Sequence, residues 1–267
     1  MGRLGAEDPA SASPSPPRER LNRYLARSGV ASRRAADALI SSGAVRVNGD
    51  RTPATGLLID PDRDAVTVDG RRVKPPAAHR YLMLNKPLGV ITTAHDEASR
   101  STVLDVVGEQ GKHGHRLFPV GRLDADSTGL LILTDDGDLS YRLTHPRYKV
   151  AKEYVVTVAG VPTTRDLAAL RRGVKLDDGM TAPAEVDVVR ATRGDRDSGR
   201  AELRLVIHEG RHRQVRRMME AVGHKTLVLR RTAFGPLRLG RLKTGDWRLL
   251  SAGEVAALRR ATGLDEG

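Results

Sequence analysis

From Tyr81 onward the chain repeats one theme: short apolar runs, YLML, GVIT, LLILT, YVVTV, EVDVV, ELRLVI and TLVLRR, parted by turn residues. Runs of this length, rich in β-branched residues, read as strands. They outnumber the helical stretches and do not alternate with them regularly. A parallel α/β layout needs that alternation, so the pattern predicts an α+β domain over residues 81–262 on a mostly antiparallel, mixed sheet. Two helices have readable starts. Thr163 with Asp166, and Ser251 with Glu254, have capping-box spacing, and the first helix should stop at Gly173. No internal repeat, phosphate-binding Gly-rich loop or GxGxxG is present.

Residues 18–74 are written differently. Leu21, Tyr24 and Leu25 fall at helical spacing and leave Arg20, Arg23 and Arg27 to solvent. After a Ser28-Gly29 break, Ser32 can cap a second helix that Arg33 and Arg34 open, Leu39 and Ile40 anchor, and Gly43 stops. AVRVNG and AVTVDGRRV then alternate into Asn-Gly and Asp-Gly turns, with Arg46 on the polar side. The expectation is a small N-terminal α/β module with a basic helical face, joined by a linker at 75–80 to the larger domain. Residues 1–17, rich in Pro, Ser and Ala, are expected to be a disordered tail. A chain of 267 residues is long enough for two such cores.

Charge says what the module is for. Residues 18–51 carry eight Lys/Arg against three acids and residues 209–248 eleven against three, so these segments hold the whole of the +12 net charge. A field concentrated in two patches favours a polyanion, and nucleic acid is the leading partner. Cysteine is absent, which removes disulfides, thiol nucleophiles and cysteine-held metal. No apolar run approaches the ~20 residues that span a bilayer, and the N-terminus lacks a signal-peptide core, so a cytoplasmic protein with no membrane contact is expected.

Against that basic background, GRLDADSTGLLILTDDGDL at 121–139 gathers five acids and a single arginine, Arg122. Asp124 sits before a buried strand, and Gly129 lets another backbone or a ligand come close. From the residues alone Asp124 is equally a salt-bridge partner or a catalyst, and Asp126 could form an acid/base pair or a magnesium site with it. Asp135, Asp136 and Asp138 read as turn and cap carboxylates. His208-Glu209-Gly210-Arg211-His212 spells H-E-x-x-H, but a strand leads into it, Gly210 breaks helical continuity, and Arg211 and Arg213 oppose a dication. A strand ending near Glu209 and a helix ending at Gly223 fit better. No metal site is expected.

RLNRYLARSGVASRRAADALISSGAVRVNG resembles the αL-type RNA-binding domain of a ribosomal protein and several RNA-modifying enzymes, over residues 18–65. GRLDADSTGLL, AKEYVV and EGRHRQVRRM, in that order, resemble the motifs of the RsuA-like pseudouridine synthases of ribosomal RNA, and YLMLNKPLGVITT and PVGRLD also fit. Ser127 stands where threonine is frequent and His212 where asparagine is common.

The resemblance implies isomerisation of a uridine in ribosomal RNA, large-subunit RNA or its precursor particle first, with no cofactor and a monomeric enzyme. It implies Asp124 as nucleophile, Arg216 paired with it to keep it ionised, and Tyr154 against the extruded base. With eight aromatics in the chain, RNA should be held by arginines: Arg20, Arg23, Arg27, Arg33, Arg34, Arg46, Arg122, Arg211, Arg213 and Arg217. Two other readings stay open: a non-catalytic RNA-binding or ribosome-assembly factor, and a metal-dependent RNA hydrolase using Asp124 and Asp126.

Overall fold

The computed structural model describes residues 18–52, 55–94, 96, 98–113, 115–192 and 199–264, and the chain separates into two compact units on either side of Ala77. The tail expected at 1–17 lies outside the described residues.

In the first unit, α1 (Leu21–Arg27) and α2 (Arg33–Ser42) pack on a four-stranded sheet of β1 (Val45–Val47), β2 (Asp50–Arg51), β3 (Val66–Val68) and β4 (Arg71–Arg72), in the order β2-β1-β3-β4. Ser32 caps α2 by accepting from Ala35 N. Two two-residue hairpins, Asn48-Gly49 and Asp69-Gly70, have positive φ at both central positions, the geometry that matches strand twist. Leu21, Tyr24, Leu25, Ala36, Ile40, Val45, Ile59 and Val66 form the core. That leaves Arg33 and Arg34 exposed on the first turn of α2, where the helix dipole disfavours cations.

The second unit is built on a large sheet. Its main strands are β5 (Tyr81–Lys86), β6 (Thr128–Thr134), β7 (Lys152–Ala159), β8 (Glu185–Ala191), β9 (Arg200–Ile207), β10 (Thr226–Phe234) and β11 (Trp247–Leu249), in the order β8-β9-β7-β10-β6-β5-β11. Every neighbouring pair is antiparallel except β10–β6, which is parallel. The fold is thus α+β with a mixed, mostly antiparallel sheet. Five helices flank it: α3 (Val103–Lys112), α4 (Gly137–Thr144), α5 (Thr164–Arg172), α6 (Gln214–Ala221) and α7 (Ala252–Arg260). The capping boxes at Thr163/Asp166 and Ser251/Glu254 form, as does one at Thr102/Asp105.

The centre and one flank of the sheet are buried differently, and the sequence reflects it. On β6, Leu131 and Leu133 enter one hydrophobic cluster while Leu130 and Ile132 enter another, so both faces are covered and the run is continuously apolar. On β7, Lys152, Tyr154, Val156 and Val158 are buried and the intervening residues are half-buried, the period of a strand covered mainly on one side. The run GVIT does not form a strand of the sheet; Ile91 makes only an isolated bridge to Thr102. His79 and Arg80, expected within the linker, are fastened to this unit. His79 Nδ1 and Arg80 N bond Asp135 Oδ1 at 3.1 and 2.9 Å, and Arg80 Nε donates to Gly111 O.

Candidate active site

Asp124 sits on the turn that feeds β6, and five successive carbonyls of that turn are engaged. Leu123 O accepts from Thr92 Oγ1 (2.6 Å), Asp124 O from Ser127 N (3.0 Å) and Ala125 O from Gly89 N (2.8 Å). Asp126 O accepts from Arg216 Nη2 (2.8 Å), and Ser127 O from Lys86 Nζ (2.8 Å). A turn with its acceptors occupied in this way holds its side chains at fixed positions. Gly129, just beyond it, has φ of +108°, and a Cβ there would collide with the backbone of Arg231. That close approach sets β6 beside β10, with Arg231 opposite Gly129.

The arginine beside Asp124 is not the one expected. Arg213 Nη1 lies 3.6 Å from Asp124 Oδ2 and the same guanidinium forks onto Asp126 at 3.0 and 3.3 Å. Arg216, buried on α6, places Nη2 on the carbonyl and carboxylate of Asp126 (2.8 and 3.2 Å) and 3.4 Å from Ser127 Oγ. Arg216 therefore braces the turn, and the expected Arg216–Asp124 pair is replaced by Arg213–Asp124. The reason is reach: Arg213 precedes α6 in a left-handed conformation, φ of 48°, while Arg216 lies one turn inside the helix. Burial raises the Asp126 pKa, but the Arg213 hydrogen bonds and the Arg216 charge outweigh it and hold that carboxyl below its usual range. Its oxygens are thus committed to arginines, not to a shared proton or a cation with Asp124. Buried Lys86, absent from the sequence reading, is pushed down to about 8 by desolvation, against the pull of Asp124 and Asp126.

A cleft of about 320 Å³ opens beside the turn, a size near the lower end for small-molecule sites (~300–1,000 Å³). Asp124 is the only acid in its lining among the described residues; Arg122, Lys152, Arg211, Arg213 and Arg231 also line it, with Leu123, Tyr154, Ile207, Val215 and Leu229 as apolar walls. Tyr154 is 7% exposed and pairs across the sheet with Leu205 and Arg231. Its ring and the Asp124 carboxylate thus border one cavity.

The structure separates the arginines expected to hold RNA. Arg20, Arg33, Arg34 and Arg122 are exposed, and Arg46 is exposed with Nη1 on Gly49 O. Arg23 and Arg27 share Glu19, at 3.6 and 2.7 Å. Arg211 and Arg217 are spoken for: both bond Asp178, and Arg211 also holds Glu209 and the carbonyls of Gly179 and Met180. They tie the hairpin Lys175–Leu176/Gly179–Met180 to the start of α6, a structural use that the sequence reading did not include.

His208 and Glu209 follow the end of β9, with His208 Nδ1 on Lys149 O at 2.9 Å, so the H-E-x-x-H string has no helix to sit on. Among the described residues no three His, Asp or Glu side chains are grouped to hold a metal, and no helix is long and apolar enough to cross a membrane. Lys86 and Lys152 were detectable in principle: each is a lysine at a position that the strand pattern assigns to the core.

Comparison with known proteins agrees with this geometry. The RNA pseudouridylate synthase family matches residues 80–221, and the S4 domain matches residues 19–52. An uncharacterized RNA pseudouridine synthase of Aquifex aeolicus is 41% identical over 92% of this chain and 95% of its own. Ribosomal large subunit pseudouridine synthase B of Bacillus subtilis is 42% identical over 90% and 96%. A pseudouridylate synthase crystal structure, 30% identical, superposes with a TM-score of 0.63 over 90% of this chain and 99% of that one. With these matches added to a lone cleft carboxylate on an anchored turn, the chain belongs to the RNA pseudouridylate synthase family and carries an S4 RNA-binding domain at its N-terminal end.

Proposed function

We propose that this enzyme converts a specific uridine of ribosomal RNA, most consistent with the large subunit, to pseudouridine, with Asp124 as the nucleophile. The observation that carries this reading is the placement of Asp124: the one acid among the described residues that line the cleft, on a turn with its carbonyls engaged, beside five cationic side chains. The large-subunit preference rests on the named Bacillus subtilis relative.

The reaction needs little else. Asp124 attacks or stabilises the sugar carbon as the bond to N1 of uracil breaks, and the departing base takes the electron pair. Uracil turns within the cleft, its C5 bonds to the same sugar carbon, and the C5 proton is lost as N1 gains one, so no atom is added or removed. Arg213 Nη1, 3.6 Å from Asp124 Oδ2, orients the carboxylate beside the cleft. Tyr154 offers a flat ring at the cleft wall to keep the freed base from escaping. Extruding the nucleotide costs a few kcal/mol, which exposed arginines on phosphate would offset. The S4 unit, with Arg33 and Arg34 exposed, would contact structured RNA.

Asp124→Asn tests the proposal. Incubated with an unmodified large-subunit rRNA transcript, the wild type should form pseudouridine at one or a few sites, and the variant should form none while binding the RNA within about threefold. Wild-type protein that binds RNA and never modifies it would favour the non-catalytic assembly factor. Pseudouridine made by Asp124→Asn would rule out the assigned nucleophile.

A further inference from the structure

Two buried cations in the cleft lining take no part in the chemistry above. Lys152, 8% exposed, and Arg231, 2% exposed, both line it. Lys152 Nζ donates to Val150 O at 3.0 Å and lies 5.4 Å from the centre of the Phe234 ring. Arg231 Nε donates to Leu130 O at 2.8 Å, and its guanidinium carbon is 5.0 Å from the same ring. Arg231 Nη2 is buried with no partner. Among the described residues neither cation has an acid within 4 Å.

Two like charges buried against one ring, without a counter-ion, are unfavourable for the folded state. Burial, and then the charge of Arg231, push Lys152 down to about 8. Packing does not require this arrangement, since a methionine of similar length would fill the Lys152 site without charge. The uncompensated charge has a use if a ligand brings the opposite sign. Lys152 and Tyr154 are two residues apart on the same face of β7, roughly 7 Å along the strand. A nucleotide spans that separation between its base and its own phosphate.

We propose that Lys152, backed by Arg231, binds a phosphodiester oxygen of the RNA strand entering the cleft, the phosphate supplying the counter-charge that the fold lacks. Lys152 reaches the cleft, and Arg231 behind it deepens the positive field. The site rests on the reading that the cleft receives an RNA nucleotide beside Asp124. It has a consequence for the free protein: without RNA, the Lys152 charge strains the fold.

The test uses the full chain as wild type, Lys152→Met and Lys152→Gln, with rRNA transcript and with inorganic phosphate as probes. Without RNA, Lys152→Met should melt at or above the wild-type temperature. With RNA, both variants should bind more weakly, their plots of log affinity against log salt shallower by about one, and KM for the transcript should rise about tenfold. A wild-type salt slope in both variants would overturn the proposal, as would a Lys152→Met melting point well below wild type with that slope unchanged. If millimolar phosphate raises the wild-type melting temperature, and not that of the variants, while their RNA slope stays wild type, the site takes a free anion and the RNA proposal fails. Wild-type protein that forms no pseudouridine counts against the Asp124 reading; wild-type protein that forms it, with slopes unchanged in the variants, counts against this inference alone.

Discussion

One strand, β6, has acids at both ends, and the two ends use them for opposite purposes. Before the strand, the Asp124 side chain is 23% exposed and has a single ionic partner at 3.6 Å. After it, the Asp135 side chain is 5% exposed and fully subscribed: His79 and His115 approach its two oxygens at 3.1 and 2.7 Å, and Arg80 N donates at 2.9 Å. Asp136 caps α4 by accepting from the N–H groups of Asp138 and Leu139, and takes the Tyr81 hydroxyl at 2.7 Å. A carboxylate whose lone pairs are all spent stabilises a fold. One held in place by its backbone, with its oxygens left towards a cavity, is available for chemistry.

The largest effect should separate the two ends cleanly. Asp124→Asn should lower pseudouridine formation by at least ~10³-fold while changing stability by no more than about 0.5 kcal/mol, the usual range for a partly exposed side chain away from packing. Asp136→Ala should do the reverse. It removes a helix cap and leaves the half-buried Tyr81 hydroxyl without its acceptor, about 2–4 kcal/mol together, or roughly 5–15 °C in melting temperature for a unit of this size. The turnover of molecules that remain folded should match wild type. If Asp136→Ala instead abolished turnover in a fully folded sample, the division of labour along β6 would be wrong.

Asp135 adds a dependence on pH. Burial raises its pKa, but the hydrogen bonds from His79, His115 and Arg80 N outweigh burial and hold the carboxyl below its ordinary value. Between that lowered value and the ordinary one near 4, the unfolded chain binds a proton that the folded one does not. The stability from Asp135 is therefore complete above the ordinary value and lost as pH falls through the lowered one. Asp135→Asn should cost about 2–3 kcal/mol at neutral pH and flatten the acid side of a stability-versus-pH curve followed by denaturant titration.

The sequence made some of this division readable. Asp136 followed by Gly137 and a helical pattern marks a cap, and the motif around Asp124 marks the turn that feeds β6. Capping boxes, Asn-Gly and Asp-Gly hairpins and the strands were legible because each is decided by residues a few positions apart. Which arginine meets Asp124 was not, because Arg213 and Arg216 differ by one helical turn whose start depends on a left-handed residue that sequence does not announce. The ion pairs of Arg211 and Arg217 were hidden for a similar reason: Asp178 reaches them from a hairpin more than thirty residues away. GVIT failed as a strand since its neighbours in space, Thr92 to Leu123 and Ile91 to Thr102, draw it into holding the Asp124 turn.

Asp126 lies between the two extremes, and substituting it should give an intermediate result. Half-exposed, it anchors Arg213 through both oxygens, so Asp126→Asn should cost only about 1 kcal/mol in stability. Freed of Asp126, Arg213 has Asp124 as its remaining ion-pair partner within 4 Å among the described residues, and competition for that carboxylate should lower kcat/KM about tenfold (~1.4 kcal/mol). Arg213→Gln in the same background should return part of that loss, a coupling that a double-mutant cycle measures. Equal losses in the single and double variants would mean that Asp126 acts on the turn itself.

The smallest effect belongs to the fifth acid of the segment. Asp138 is exposed on the first turn of α4, where a negative charge meets the positive end of the helix dipole. Asp138→Asn keeps the side-chain shape and removes the charge, so the loss should be about 0.3–1 kcal/mol, diminished by added salt, with turnover unaffected. A difference this size is visible in denaturant midpoints if the slope stays constant. A loss beyond about 2 kcal/mol would place Asp138 with Asp135 and Asp136 as a structural acid; a loss of turnover would extend the cleft's influence past the far end of β6.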